Sequence, residues 1–501
     1  MITYLVILGE RKNKMELNFK KGDWIFFLVC LALGILAERS FLHGNIGLSY
    51  PVFITVFYGV FFWRYRSFTF TNKKLGLLMI VSIWMLSSSF FLHSNMILYI
   101  LNFLVIPVMV IIQLVLVTYP VQNQWHRWPF VQKLFLTVGA AIAYVYRFLM
   151  HVAKFSVRGL EEKKSATLRK VLIGVGISLP LLFVIVNLLV SADQQFGNLL
   201  GAFPRWLLGL KIEEEVARTV AVIIYTLAIF GLLQVLRIKQ PVPADDPKPT
   251  GKVAWDSVIS LTVLTLLNIV YLLFVAVQFQ YFFGETLKAG YTYAEFARRG
   301  FFELLFVTML NLLIITTIVS YVEKSSKFIT LFIRSLLSLL VTFSGVMLYS
   351  AFLRLLMYEE AYGFTFARVL AHSFMVFLLV VLCYSLMRIW MERLSLVRFY
   401  IIAAIIFYTV INTIQLDQYI VDRNLERYSE TGKIDIYYLN SLSYEGVEGL
   451  VELYKLNPGH PGLSDLLLQR KQEFLDSEES WNSINISRRS AEKAIKDLEI
   501  Q

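Results

Sequence analysis

Charge is what this sequence is short of. Only 17% of its 501 residues are charged, against 57% hydrophobic, and a soluble chain of this length needs more charge to cover its surface. Cysteine is nearly missing as well. Cys30 and Cys383 both fall inside apolar runs, which excludes a disulfide framework or a thiolate metal site and leaves two small buried hydrophobes. The six histidines are scattered and make no ligand set. There is no Walker loop, dinucleotide fingerprint, His-Glu-x-x-His or Cys-x-x-Cys spacing, so no cofactor or metal is expected and catalysis is disfavoured. The ten-residue alternating segments of a transmembrane barrel are missing. Basic residues do not cluster on a soluble face, which argues against nucleic acid as a partner. A cleavable signal is not expected: the run Ile2–Leu8 is short and a basic cluster follows it. Met15 stands as an alternative start.

What the sequence has instead is a series of long apolar stretches. About 20 such residues cross a hydrocarbon core of roughly 30 Å as a helix, and a helix satisfies its own backbone where lipid cannot. Spans are expected near Trp24–Leu42, Leu48–Trp63, Leu75–Leu92 and Met96–Thr118, then Val171–Val190, Val216–Leu236 and Trp255–Phe279. Phe301–Tyr321, Phe328–Phe352, Val369–Met387 and Phe399–Leu416 complete the set. The fold class is therefore all-α: a polytopic transmembrane bundle of about eleven spans with a C-terminal helical extramembrane domain.

Leu134–Val152 is apolar enough to be a further span, but Arg147 and His151 sit in its last turns. Charge bias arbitrates. With that stretch interfacial or re-entrant and the N-terminus cytoplasmic, one set of loops collects 27 Lys and Arg and the opposite set only a handful. Positive residues in short loops resist translocation, so the N-terminus is expected inside and the tail outside. The domains read as a basic N-terminus (1–22), four spans (23–119), a basic segment with the interfacial helix (120–170) and two spans (171–236). A Pro-rich linker (237–254), five spans (255–416) and the tail (417–501) follow. Pro241, Pro243, Pro247 and Pro249 stiffen the linker. The excess of positive charge in the membrane portion points to anionic lipid at the cytoplasmic face of the bilayer.

The tail reverses the charge balance, with 10 Lys and Arg against 16 Asp and Glu from Asp417 onward. Asp435 is placed to cap a helix over Ile436–Leu442, and Ser443 a second over Glu445–Leu456. Asn457-Pro458-Gly459 with Pro461-Gly462 makes a turn. Leu463–Leu475 and Ser487–Leu498 follow as amphipathic helices.

Charged residues near span ends are the candidates for chemistry. In Tyr293–Leu304, Glu295, Arg299 and Glu303 fall at i, i+4 and i+8 and form a ladder, with Arg298 free to face a cavity. Two arginines at a helix start oppose its dipole. Arg354, Glu359, Glu360, Arg368 and His372 surround Tyr362-Gly363, where Arg354 is expected to pair with Glu359 or Glu360. Asp193, Glu38 and Asp417 end other spans. In this topology Glu38, Asp193, Glu295, Arg298, Arg299, Glu303, Arg354, Glu359, Arg368 and Asp417 share the external face, as a polar cleft under the tail. Asn187, Asn268, Asn311 and Gln113 read as interhelical hydrogen-bonding residues.

Four segments carry a resemblance: Leu189–Asp193, Tyr293–Leu304, Ile434–Ser443 and Trp481–Arg488. Together and in this order they resemble a bacterial family of multi-pass membrane proteins catalogued as a domain of unknown function (four-one-seven-three, related to four-one-five-three). That resemblance, from about Lys170 onward, implies a bacterial cytoplasmic membrane and no particular reaction. Where the family usually continues Asp-Ala-Val-Pro, this chain has Tyr444-Glu445-Gly446-Val447. Three readings stand. The first is a non-enzymatic scaffold or sensor whose tail docks an envelope protein. The second is a transporter using the polar cleft, and the third a transferase acting on a lipid-linked substrate near Glu38.

Overall fold

A computed structural model describes residues 21–118, 125–156, 174, 212–237, 255–283, 301–322, 326–476 and 480–500. It is all-helical apart from one isolated bridge, Trp255 to Val322. The membrane helices are α1 (Lys21–Phe41), α2 (Ser49–Arg64), α3 (Lys73–Leu92), α4 (Met96–Thr118), α5 (Trp128–Ser156) and α6 (Ile212–Arg237). They continue as α7 (Ser257–Phe283), α8 (Phe301–Tyr321), α9 (Lys327–Tyr362), α10 (Phe366–Trp390) and α11 (Leu396–Thr413). Ten of these are long and apolar enough to cross a bilayer, α2 being the short one. The tail holds α12 (Leu416–Thr431), α13 (Ile436–Ser441), α14 (Ser443–Leu456), α15 (Leu463–Asp476) and α16 (Ile486–Lys496).

Two apolar cores fill the bundle. Phe26, Phe61, Ile83, Leu114 and Phe230 belong to one, built on α1–α6; Leu264, Ile315, Leu340 and Leu382 belong to the other, built on α7–α10. Ile405 and Tyr408 of α11 pack on the first. Outward-facing residues such as Leu28, Leu77, Leu104, Leu273 and Phe306 are exposed, as lipid-facing positions are when no aqueous surface is required of them. Buried amides tie helices together. Asn311 accepts from Tyr271 (2.7 Å) and donates to Ser344 (2.9 Å). Asn268 reaches the Leu336 carbonyl at 3.2 Å, and Gln113 accepts from Tyr58 at 3.2 Å. Asn187 lies outside the described residues.

The bundle has a basic end and a tail end. At the basic end, Arg64 bonds Asp23 (2.8 Å) and Gln234 (3.2 Å), joining α1, α2 and α6. α5 is long and apolar enough to cross, about 43 Å at 1.5 Å per residue, and several of its contacts fall near this end. His126, just before it, accepts from Arg398 at the start of α11. Phe148, five turns later, stacks near Trp24 and Phe27 in the first turns of α1. Gly231, near the end of α6, lies against Ala141 and Val145. The approach to α5 and its Phe148 turn thus both touch residues near the basic end, while by length and composition α5 is one of the ten helices that match a bilayer span. α6 begins at the opposite, tail end, where Arg218 meets His43. The expected span Val171–Val190 falls outside the described residues except for Gly174.

Locally the tail follows its residues with one exception. Asp435 accepts from the Tyr438 N–H at 2.9 Å and starts α13. Ser443 does not cap α14; it is the first residue of that helix, at φ 52°, with Leu442 before it. α9 runs on to Tyr362 where a span ending near Phe352 was expected, so Arg354, Glu359 and Glu360 are helical. Gly363, at φ 82°, stops it in the left-handed region that glycine tolerates.

Candidate functional site

The tail is packed on the bundle through a polar seam. Three short connections present at the tail end of the bundle form its floor: His43–Leu48 between α1 and α2, His93–Asn95 between α3 and α4, and Ile414–Gln415 before α12. Helix ends leave carbonyls without intrahelical partners, and the tail supplies the donors. Asn485 Nδ2 donates to the carbonyls of Phe90 (2.9 Å) and His93 (2.7 Å), closing α3. Its Oδ1 accepts from Arg488 N at 2.9 Å and caps α16. One amide thus finishes one helix and starts another. The Gly47 and Leu48 N–H groups donate to the Asn482 and Ile484 carbonyls at 2.8 and 3.0 Å. Asn482 in turn donates to His43 O.

Two buried carboxylates of the tail complete the seam. Glu445 accepts from Ser94 at 2.6 Å. The Ser487 hydroxyl sits between Glu445 Oε1 (2.5 Å) and the Leu92 carbonyl (2.9 Å). Asp417 accepts from Asn95 Nδ2 at 2.8 and 2.9 Å. Burial pushes the Asp417 carboxyl up to about 7; the Asn95 bond lowers it and the Glu445 charge raises it further. Burial also raises Glu448 above its ordinary range and lowers His93 below its own, the latter offset in part by Glu445. Between these groups lies a cavity of ≈ 20 Å³, lined by Asn95, Tyr99, Asn412, Asp417 and Glu445 among others. That is room for about one water.

Beneath it, Asn102 donates to Asn412 (2.7 Å) and accepts from Tyr408 (2.7 Å), so a buried polar chain runs from the cavity into the α4–α11 contact.

The residues expected to share one cleft occupy several places at the tail end. Asp417 alone of them lines the seam cavity. Glu38 is buried, with His43 Nδ1 3.1 Å and Arg218 Nε 3.9 Å from its Oε1. Arg218 also lies 3.0 Å from the other ring nitrogen of His43. Glu303 is in the first turn of α8, where a carboxylate suits the helix dipole, and its charge acts on the buried Arg354. Arg354 does not pair with Glu359 or Glu360. Glu359 meets His372 of α10 at 3.1 Å instead, because residues five apart on a helix point about 140° from each other. Arg368 bonds the Gly363 carbonyl and covers the Tyr358 ring, 4.1 Å from its centroid. Asp193, Glu295, Arg298 and Arg299 lie outside the described residues. No group of three His, Cys, Asp or Glu stands ready for a metal among the described residues.

Glu445, Asn95, Asn485, His43 and Arg218 were not among the candidates. The signal for two of them was available: Glu445 stands where the resembled family has its Asp-Ala-Val-Pro run, and Asn485 lies within Trp481–Arg488. A family model described as a domain of unknown function (DUF4153) matches residues 80–453, most of the chain. It starts well before Lys170 and stops short of Trp481–Arg488. No curated protein matches the chain, and no solved structure does.

Proposed function

We propose that this chain, which belongs to the DUF4153 family, is a non-enzymatic membrane scaffold or sensor whose tail is held against its bundle by the seam. The observation that carries this reading is the docking itself. Buried Asp417 and Glu445 of the tail find their partners on the turn His93–Asn95 of the bundle, so a change in either body is felt by the other. Such coupling needs two bodies with a differential contact between them, and the seam is one. The charge bias of the loops supports an N-terminus in the cytoplasm and the tail outside it, in a bacterial cytoplasmic membrane. In that setting the exposed Tyr437 and Trp481 of the tail face an envelope partner.

The test places a photo-crosslinking residue at Tyr437 in intact cells, with and without Asn485→Ala. A scaffold gives a discrete protein adduct whose yield changes when the seam is loosened. Adducts to lipid alone, or a yield indifferent to the seam, refute the reading. Compartment-specific labelling of the same position checks the orientation.

The seam cavity, at ≈ 20 Å³, has room for about one water and is too small for a solute, which supports the scaffold over a transporter. The transferase reading draws on one observation: the buried Glu38 carboxylate lies against the half-exposed His43, a pairing that general acid–base chemistry uses. Glu38→Gln would abolish function with the fold intact if that were its role; on the scaffold reading the variant leaves crosslinking unchanged.

A further inference from the structure

A second cavity, ≈ 580 Å³ and open to the surroundings, lies at the basic end between α3, α11 and the residues just before α5. Lys73, Lys74 and Arg398 line it, and no carboxylate does among the described residues. Its walls are held in place. The Thr71 N–H bonds the Val117 carbonyl at 2.9 Å, and Asn72 donates to Leu116 O at 3.3 Å, so the approach to α3 is clamped to the end of α4. Asn72 sits at φ 47° and makes no side-chain cap bond to α3, and the N-terminal turn of that helix, which carries the two lysines, borders the cavity. Such an end attracts anions. Arg398 is oriented by His126, which accepts from its Nε at 3.2 Å. Burial, with Arg398 and Arg127 beside it, lowers His126, which keeps the ring a neutral acceptor.

The rest of the lining is apolar and points one way. Leu78 and Ile402 lie one to two turns further into α3 and α11, toward the middle of the bundle, while Trp125 lines the cavity from the segment just before α5. Cations at the helix starts leading to an aliphatic wall match a molecule with a phosphate at one end and hydrocarbon at the other. We propose that this cavity binds an anionic glycerophospholipid, its phosphate held by Lys73, Lys74 and Arg398 and an acyl chain lying along Leu78 and Ile402. A free phosphate would satisfy the cations and leave the aliphatic wall empty; a zwitterionic lipid would bring its own cation to a site that has three.

The experiment uses the full chain in phosphatidylcholine nanodiscs, titrated with phosphatidylglycerol and read by native mass spectrometry. Bound phosphatidylglycerol is expected to survive at a defined stoichiometry. The variant Lys73→Gln/Lys74→Gln/Arg398→Gln should weaken it about tenfold or more, whereas Lys73→Arg/Lys74→Arg, and Arg66→Gln at a position that does not line the cavity, should leave it unchanged. Inorganic phosphate and soluble glycerophosphoglycerol should not compete. Equal loss in the Arg66 variant would show diffuse surface charge and overturn the site. Competition by either soluble anion would overturn the lipid as its occupant. Because the charge-preserving variant and the Arg66 variant report folding separately, a misfolded triple variant would show as lost thermal stability in that variant alone, and Leu78→Asp/Ile402→Asp then decides: unchanged lipid binding overturns the proposal.

Discussion

Asn485 of the tail lies 2.9 Å from the Phe90 carbonyl and 2.7 Å from the His93 carbonyl, and so terminates a membrane helix to which it is not connected in sequence. The same side chain caps α16. Replacing it by alanine removes a cap and leaves buried carbonyls unsatisfied, a loss of about 2–4 kcal/mol. Asn485→Ala should make α16 the first part of the chain to yield to protease, while α7–α10 keep their protection. Measured by pulse proteolysis in nanodiscs, uniform weakening of bundle and tail would contradict this division.

Gly47 tests the same contact from the bundle side. A Cβ there would overlap the Ile484 carbonyl and come within 2.8 Å of the Ser483 carbonyl carbon. Both are backbone, which cannot swing aside as a side chain can. Gly47→Ala should therefore detach the Trp481–Arg488 segment, raising amide hydrogen exchange at Leu48 and across α16. Exchange equal to wild type would show that the seam has slack.

Docking should also depend on pH. The Asp417 carboxyl has an ordinary value of 3.8 and is held at about 7 by burial in the docked state. The docked tail therefore binds more protons than the undocked one between these values. Its contribution is fully present below about pH 4 and is lost as pH rises through 7, a swing of up to about 4 kcal/mol. Glu448 is raised by burial and acts in the same sense; His93 is lowered and opposes it at the acid end. Asp417→Asn keeps the shape and removes the proton. Tail protection, followed by hydrogen exchange from pH 5 to 8, should fall in the wild type and run nearly flat in this variant. Parallel curves would assign the dependence elsewhere.

The membrane spans are legible because an apolar run of span length has few other uses. Single contacts are less legible, and the reasons are geometric. Glu359 has Arg354 nearby in sequence and meets His372 in space, since a helix turns 100° per residue and neighbours in sequence face apart. Glu38 finds Arg218 across 180 residues, a distance that no local pattern encodes. Trp481–Arg488 stands out as a segment in the sequence, but its use of two asparagines as backbone donors becomes visible only once the ends of α3 and α2 are beside it.

Gly34 is where that long-range pairing is set. It lies in α1 one turn before Glu38 and faces Thr226 and the Val222 carbonyl of α6, one turn along from Arg218. A Cβ at Gly34 would lie 2.8 Å from the Val222 oxygen and overlap the Thr226 hydroxyl, which is already bonded to that carbonyl at 2.6 Å. Small residues let membrane helices approach closely, and their packing supplies much of the association energy. Gly34→Val should push α1 from α6 at a cost of about 1–3 kcal/mol. The displacement would reach Glu38 within one turn, lengthening its contact with Arg218 and leaving His43 as its nearer partner. Two measurements separate this from general loosening: a cysteine pair across α1 and α6 should crosslink less, and a pair across α9 and α10 should crosslink as before. If Gly34→Val leaves the first pair unchanged, α1 has room to rotate and the crossing does not set the Glu38 site.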